Sequence, residues 1–138
     1  GAARVESRPL DEWPAGPVAV TLARTPVSRS DRFLYHKTTR REVYEARRRE
    51  RPTAFDVLLW NEDGELTEFT LGNLVAEIDG RLYTPPRESG LLAGVMRAEL
   101  IERGEIAERR ITLDDLARAS RLWLVNSVRG RVAVVLEA

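Results

Sequence analysis

Lys37 is the one residue of this sequence whose side chain can form a Schiff base. The 138 residues include 22 Lys and Arg, and 21 of these are Arg, so Lys37 is the single lysine. It follows His36, the single histidine. An arginine stays protonated in a protein, whereas a lysine amine can lose its proton and attack an aldehyde. Lys37 is therefore a candidate catalytic residue, and the alternative is one lysine left by chance in an arginine-rich chain.

Glu68 is a second candidate, a carboxylate on a predicted strand. The strand follows a predicted turn at Asp63-Gly64, and strict alternation places Glu68 on the same face as Leu66. A carboxylate on a largely apolar face needs a cationic partner or hydrogen bonds. The residues alone favour an arginine as that partner, and a protonated pyridine nitrogen is the alternative.

A glycine-rich segment, residues 90–94, precedes apolar residues at helical spacing. The first turn of a helix has free backbone N–H groups and the positive end of the helix dipole, which together suit a phosphate group. The segment matches neither the P-loop nor the dinucleotide-binding fingerprint. Glycines at the start of a helix serve close packing at least as often, so both interpretations stay open.

The candidates lie on or beside regular elements that the sequence predicts. A short strand is expected over residues 17–23, and a helix over residues 40–50 because Thr39 and Glu42 have capping-box spacing. Lys37 then precedes the positive end of a helix, which favours an uncharged amine. Two Asp-Gly pairs predict turns in an antiparallel meander of four strands. The strands predicted for this meander are residues 54–61, 65–70, 73–78 and 81–85.

The carboxyl-terminal part of the sequence predicts two more helices and a final pair of strands. One helix follows the glycine-rich segment and ends at Gly104, and a shorter one is capped by Thr112. The two strands flank "NSVRG". We expect one α+β domain over residues 17–138, preceded in residues 1–16 by a proline-rich linker or the remnant of another domain.

Composition excludes several classes of function. The sequence has no cysteine, which excludes disulfides, thiolate metal ligands and a cysteine nucleophile, and no metal site is predicted. Its formal net charge is zero, so no overall field attracts nucleic acid or an anionic membrane. No apolar stretch reaches the roughly 20 residues that cross a bilayer. We expect a cytoplasmic protein, with the basic run at residues 45–51 as the solvated end of a helix.

Four blocks of the sequence resemble the class IV pyridoxal-phosphate family, which includes branched-chain aminotransferases, D-amino-acid aminotransferases and aminodeoxychorismate lyases. The blocks are "FLYHKTTRREVYE", "DVLLWNEDGELTEFTLGN", "LYTPPRESGLLAGVMR" and "LVNSVRGRV". The resemblance implies a strand-rich, barrel-like α+β domain with flanking helices, and pyridoxal 5'-phosphate as the cofactor. It also implies that Lys37 forms the Schiff base and that Glu68 faces the pyridine nitrogen. The other cofactor-binding positions that it implies are Gly94, Val95 and Met96 at the phosphate, and Asn73, Asn126 and Ser127 nearby.

Within the family, the blocks look most like aminodeoxychorismate lyase, particularly the form fused to a chorismate-aminating component in folate synthesis. The resemblance implies a small-molecule substrate, 4-amino-4-deoxychorismate, which is converted into 4-aminobenzoate and pyruvate. Arg129 is a candidate for binding a substrate carboxylate, and a surface arginine in a turn is an equal alternative. Two other functions are the alternatives: a branched-chain or D-amino-acid transaminase of the same family, and a non-catalytic interaction domain that retains the fold.

The sequence departs from the family pattern in two respects. Whole members carry a smaller amino-terminal domain that closes the active site, and we expect that domain to be missing here. The family also implies a homodimer. Branched-chain enzymes place a tyrosine after the lysine to bind the cofactor hydroxyl, but Tyr44 comes two residues later than that spacing, which argues against that branch.

Overall fold

Strands dominate the structure, a computed structural model that describes residues 13–14, 16–31, 34–35 and 42–137. Within these residues the strands are β1 (Val18–Leu22), β2 (Asp56–Trp60), β3 (Leu66–Phe69), β4 (Asn73–Ile78), β5 (Arg81–Thr84), β6 (Ala107–Glu108), β7 (Ala119–Asn126) and β8 (Gly130–Glu137). The helices are α1 (Glu42–Arg49), α2 (Val95–Glu102) and α3 (Leu113–Leu116), and a 3-10 turn covers Arg87–Ser89.

Six of the strands close into a ring. Neighbouring strands follow the order β3-β2-β1-β8-β7-β4, and β4 pairs back with β3. The closing pair joins Glu68 of β3 to Asn73 of β4. Beyond that pair, β5 continues along the same edge of β4, and β6 lies beside β5. The predicted strand-rich, barrel-like α+β fold is therefore confirmed.

The predicted antiparallel meander is also confirmed. β2 pairs antiparallel with β3, β3 with β4, and β4 with β5. At the turn between β4 and β5, Asp79 and Gly80 both have positive φ, 52° and 79°, as a type I′ turn requires. The final hairpin, β7 with β8, agrees with its prediction.

The sequence did not predict the parallel neighbours of β1. This strand pairs parallel with β2 on one side and with β8 on the other. The two-residue strand β6 was also missed. Parallel partners are joined by long connections, so no local turn pattern identifies them.

Apolar side chains fill the ring and two layers outside it. The interior cluster draws on all six strands of the ring, with Val18, Val20, Leu58, Leu66, Phe69, Leu74, Leu124 and Val134 among its members. Outside the ring, Val57 and Leu59 of β2 pack with Val43 and Tyr44 of α1. A third cluster packs Val75 and Val125 of the sheet against Leu100 of α2. Each fully buried Leu or Phe contributes about 1.5–3 kcal/mol, so these clusters hold the two helices against the barrel.

Arginines tie α1 to the barrel as well. Arg47 donates to two backbone carbonyls of residues 25–26, at 3.1 and 2.7 Å. Arg48 lies 3.4 Å from a carboxylate oxygen of Asp56, and Arg51 donates to a carbonyl of β1. The basic run does form the end of α1, which has no buried residue, and these three arginines stay partly exposed while their guanidinium groups bind neighbouring segments.

The other helix predictions agree with the structure where it describes them. α1 falls inside the predicted range of residues 40–50. α2 is followed by Gly104 at a φ of 74°, and α3 has the predicted cap, in which Thr112 and Asp115 form a capping box. Among the described residues, none of the helices is both long and apolar enough to cross a lipid bilayer.

Two predicted features fall largely outside the described residues. Lys37 and the capping residue Thr39 are not among those described. Of the predicted linker over residues 1–16, the structure describes residues 13–14 and 16. The ring of Trp13 meets that of Phe55 edge to face at a centroid distance of 4.9 Å. The division at residue 16 stays a prediction.

Candidate active site

A β-bulge in β3 sets the direction of the Glu68 side chain. The register between β2 and β3 shifts by one residue between two pairs, Leu58 with Phe69 and Trp60 with Leu66. One residue of β2, Leu59, therefore lies opposite two residues of β3, Thr67 and Glu68. Leu66 and Phe69 both pack inside the ring, whereas Glu68 reaches α1 on the outside. Bulges are frequent next to active sites, where they redirect a side chain.

The predicted alternation along β3 is consequently wrong at Glu68. Strict alternation puts Glu68 on the face of Leu66, but the extra residue turns it to the opposite side. The insertion is defined only against the partner strand, so the sequence of β3 by itself does not reveal it.

Glu68 is buried, with 4% of its surface exposed. Its Oε2 accepts a hydrogen bond from the hydroxyl of Tyr44 at 2.9 Å, and its Oε1 accepts one from the backbone N–H of Leu92 at 3.4 Å. A buried carboxylate needs such donors because removing a charge from water is costly. The two donors that the structure describes are a hydroxyl and a backbone amide. The arginine that the sequence favours as a partner of Glu68 stays a prediction.

Asn73 connects Glu68 to the start of α2. It pairs with Glu68 across the strands, and its amide Nδ2 donates to the carbonyl of Leu92 at 2.8 Å. Its Oδ1 accepts the backbone N–H of Gly94 at 3.2 Å. A Cβ atom on Gly94 would lie 2.7 Å from that oxygen, so only glycine fits here without a shift. One hydrogen-bonded chain therefore runs from the carboxylate to the residue that opens α2.

The amino terminus of α2 has the features of an anion site. Gly94 is its N-cap residue, with no side-chain cap, and Val95 is 67% exposed. Met96 is half-buried and packs on the cluster beneath α2. The first N–H groups of a helix have no partner within it, and the dipole there is positive. The prediction that Gly94, Val95 and Met96 bind a phosphate is compatible with this geometry.

A buried carboxylate, Asp56, holds the turn between β3 and β4. Asp56 accepts hydrogen bonds from the Thr70 hydroxyl at 2.5 Å, the Val57 N–H at 2.7 Å and the Leu71 N–H at 3.0 Å. Burial raises the pKa of Asp56 above its ordinary value, although the hydrogen bonds and the charge of Arg48 act to lower it. These bonds fix the turn that separates Glu68 from Asn73.

The turn between β3 and β4 also lies tightly against β7. A Cβ atom on Gly72 would lie 2.5 Å from the carbonyl oxygen of Val125. The next residue along β7, Asn126, donates from Nδ2 to the carbonyl of Leu71 at 2.8 Å. The approach of β7 thus requires glycine at position 72.

Asn126 shapes the turn between β7 and β8 as well. Its Oδ1 accepts the N–H groups of Val128 and Arg129, at 3.1 and 2.7 Å. Ser127 is exposed at this turn. The guanidinium of Arg129 lies 4.7 Å from the ring centroid of Trp13, in a cation–π contact. Asn126 therefore contacts the turn after Glu68, and the roles predicted for Ser127 at the cofactor and for Arg129 at a substrate carboxylate stay predictions.

Lys37 lies outside the described residues.

Tyr44 contacts the site although the sequence predicts no role for it. Its spacing from Lys37 differs from that of the tyrosine which binds the cofactor hydroxyl in branched-chain enzymes. Its ring packs on the cluster between β2 and α1, and its hydroxyl binds Glu68. The available signal was an aromatic residue with a polar tip on the buried side of a helix.

The described residues fit a phosphorylated pyridine. Glu68 offers a buried carboxylate for a protonated ring nitrogen, and the eight-residue helix α2 offers backbone N–H groups for a phosphate. The two are joined through Leu92 and Asn73, so the strands and the helix hold them in a fixed relation. Pyridoxal phosphate carries both of these groups.

Comparison with known proteins identifies the family. The family described as amino-transferase class IV matches residues 3–136. A proposed aminodeoxychorismate lyase of Schizosaccharomyces pombe is 34% identical over 137 residues, which cover 94% of this chain and 59% of that protein.

Solved structures show the same fold. A proposed amino-acid aminotransferase from Mesorhizobium loti is 39% identical, with a TM-score of 0.87 over 94% of this chain and 65% of its own. The 4-amino-4-deoxychorismate lyase of Pseudomonas aeruginosa is 28% identical, with a TM-score of 0.76 over 87% of this chain and 47% of its own. The chain thus spans about half to two thirds of the length of these relatives. The match over residues 3–136 shows that this chain belongs to the amino-transferase class IV family.

Proposed function

We propose that this chain is the cofactor-binding part of a pyridoxal-phosphate-dependent aminodeoxychorismate lyase. Class IV aminotransferases and aminodeoxychorismate lyases depend on this cofactor. The observation that carries the proposal is the buried Glu68 carboxylate, connected through Leu92 and Asn73 to the uncapped start of α2.

Each proposed residue has a separate task. The ionised Glu68 would hold a proton on the pyridine nitrogen, and the first N–H groups of α2 would bind the phosphate. Lys37 would bind the cofactor aldehyde and then move a proton at the substrate carbon that bears nitrogen. When bound, the cofactor supplies an electron sink next to that carbon.

The names of two relatives support the lyase reaction. The relatives from S. pombe and P. aeruginosa are both named as lyases of aminodeoxychorismate. In that reaction a proton leaves the ring carbon bearing nitrogen, and the bond from the adjacent ring carbon to the ether oxygen breaks. The enolate of pyruvate leaves and takes up a proton to become pyruvate. The ring becomes aromatic in 4-aminobenzoate. Arg129 would bind a substrate carboxylate through a charge-assisted hydrogen bond.

An amino-acid transaminase is the second candidate. The M. loti structure, at 39% identity and a TM-score of 0.87, is described as an amino-acid aminotransferase. The same Lys37 and Glu68 would serve that reaction, since both begin with removal of a proton beside nitrogen. An acceptor 2-oxo acid is needed by a transaminase and not by the lyase.

A small domain from outside this chain would complete the site. Support comes from the relatives, of which this chain covers 59% and 47%. The homodimer and the cytoplasmic location predicted from the sequence belong to the same proposal, and sedimentation of the loaded protein would test the first.

The cofactor is tested before the reaction. Parent protein and the variant Lys37→Ala are incubated with pyridoxal phosphate, desalted, reduced with borohydride and mapped by peptide mass. We expect a visible absorption band in the parent alone and a reduced adduct on Lys37. Parent protein that stays colourless, both alone and with the small domain of a relative added, would favour the non-catalytic interaction domain.

The reaction is then tested with 4-amino-4-deoxychorismate and no 2-oxo acid. A lyase releases pyruvate and 4-aminobenzoate in equal amounts, which a lactate dehydrogenase assay and 4-aminobenzoate fluorescence measure. Turnover of amino acids only when a 2-oxo acid is added would assign the protein to the transaminases.

A further inference from the structure

Tyr44 makes a contact that no part of the proposed mechanism uses. It is the third residue of α1, and its hydroxyl donates to Glu68 Oε2 at 2.9 Å. Its ring packs against the cluster that contains Val57 and Leu59 of β2. Leu59 is the residue opposite the bulge at Glu68. Tyr44 is thus held by its ring against β2 while its hydroxyl reaches β3.

This hydrogen bond is the better formed of the two described donors to Glu68. The bond from the Leu92 N–H is 3.4 Å long, at the outer limit for a hydrogen bond, whereas 2.9 Å lies within the usual range for a hydroxyl donor and an oxygen acceptor. A glutamate side chain has three rotatable bonds, and a directed donor at one oxygen limits the orientation of the carboxylate. Among the described residues, Tyr44 contributes most to that orientation.

Tyr44 also joins two elements beside the proposed cofactor site. It lies in α1, and its hydroxyl binds the carboxylate on β3. In the sequence it follows Lys37 by seven positions. The hydrogen bond therefore holds α1 against the strand that carries Glu68.

We propose that Tyr44 is a positioning residue, which orients the Glu68 carboxylate toward the cofactor ring nitrogen and fixes α1 against β3. The role toward the cofactor rests on the proposed function. The hydrogen bond to Glu68 does not, and it can be tested without cofactor.

The test compares Tyr44→Phe with Tyr35→Phe. Tyr35 packs on the same cluster, and its hydroxyl donates to a backbone carbonyl, that of Arg29. Both variants therefore lose one partly buried tyrosine hydroxyl, but only the first loses a donor to Glu68. Each is combined with Glu68→Gln in a double-mutant cycle.

The first measurement is urea unfolding of the cofactor-free proteins. We expect the losses in urea midpoint from Tyr44→Phe and Glu68→Gln to be non-additive, and those from Tyr35→Phe and Glu68→Gln to add. Additive losses in the Tyr44 cycle would overturn the proposal, whether or not the parent binds cofactor.

The second measurement is pyridoxal-phosphate affinity and the visible spectrum of the loaded proteins. We expect Tyr44→Phe to raise the Kd about two- to tenfold, because the freed Glu68 carboxylate must be ordered when the cofactor binds, and to move the absorption maximum. In the Glu68→Gln background the effect on Kd should be smaller, because a neutral amide oxygen accepts a weaker hydrogen bond from Tyr44 than the carboxylate does. Tyr35→Phe should change neither quantity. A Tyr44→Phe variant with the Kd and spectrum of the parent refutes the positioning role. A parent that retains no cofactor, even with the small domain of a relative added, refutes the proposed function and leaves the urea cycle to decide the contact.

Discussion

Replacing Gly94 by alanine tests whether the junction between Asn73 and α2 is as close as the structure shows. The added Cβ would lie 2.7 Å from Asn73 Oδ1, inside any ordinary contact distance. Asn73 cannot move away freely, because its Oδ1 accepts the Gly94 N–H and its Nδ2 donates to Leu92. To relieve the clash, the protein must break one or both of these bonds.

The expected magnitude follows from those two bonds. Each is worth about 1 kcal/mol, so their loss costs about 2 kcal/mol. The change from glycine to alanine offsets about 0.4–1 kcal/mol of this cost, because it lowers the conformational entropy of the unfolded chain. Gly94→Ala should therefore lower the free energy of unfolding by about 1–1.5 kcal/mol, as the difference of these terms. Because the first turn of α2 moves with Gly94, affinity for pyridoxal phosphate should fall as well.

Urea unfolding and cofactor titration measure the two effects. The control is Asn73→Ala, alone and combined with Gly94→Ala, since a short side chain at position 73 removes the clash. In that background Gly94→Ala should be neutral or slightly stabilising. A Gly94→Ala protein as stable as the parent, with the same Kd, would refute the reasoning, and so would an equal cost in both backgrounds.

Three further predictions concern the support of the site. In Gly72→Ala the added Cβ would lie 2.5 Å from a backbone oxygen of β7. Urea unfolding should show a free energy of unfolding that is lower by about 1–3 kcal/mol. An unchanged free energy would contradict the close contact between this turn and β7. Asp56→Asn leaves the Leu71 N–H facing an amide nitrogen in place of Oδ2, which should cost about 1–3 kcal/mol at neutral pH; Thr70→Val, which removes only a side-chain donor, should cost less. Burial alone would raise the pKa of Glu65, but hydrogen bonds from Asn61 and Arg110 and the arginine charges lower it below the ordinary 4.5. The stability that Glu65 contributes is therefore present above pH 4.5 and is lost as pH falls through the folded value, so the difference in thermal stability between parent and Glu65→Gln should narrow in acid.

Local signals predicted most of the elements that carry the candidate site. The Asp-Gly turns depend on positive φ, which few residue types adopt, and the cap at Thr112 depends on a side-chain oxygen at the helix start, so a few letters identify them. The family blocks pointed to Glu68, Asn73 and Gly94, which the structure joins in one hydrogen-bonded chain.

The features that were missed depend on two distant segments at once. The bulge at Glu68 exists only in the register between β2 and β3, and the contact of Tyr44 requires α1 to lie over that bulge. The acceptors of Arg47, Arg48 and Arg51 were not predicted for the same reason, because they are carbonyls and a carboxylate on other segments. The hydrophobic periodicity of one segment does not show which other segment its side chains contact.

The parallel pairing of β1 with β8 has a consequence for the order of folding. Val18 of β1 lies opposite Val134 of β8, so this contact spans most of the chain, whereas β4 with β5 and β7 with β8 are local hairpins. Bringing distant segments together lowers the chain entropy more than closing a hairpin does, so such contacts form slowly. We expect the hairpins to assemble during synthesis and β1 to wait with one edge unpaired until β8 has left the ribosome.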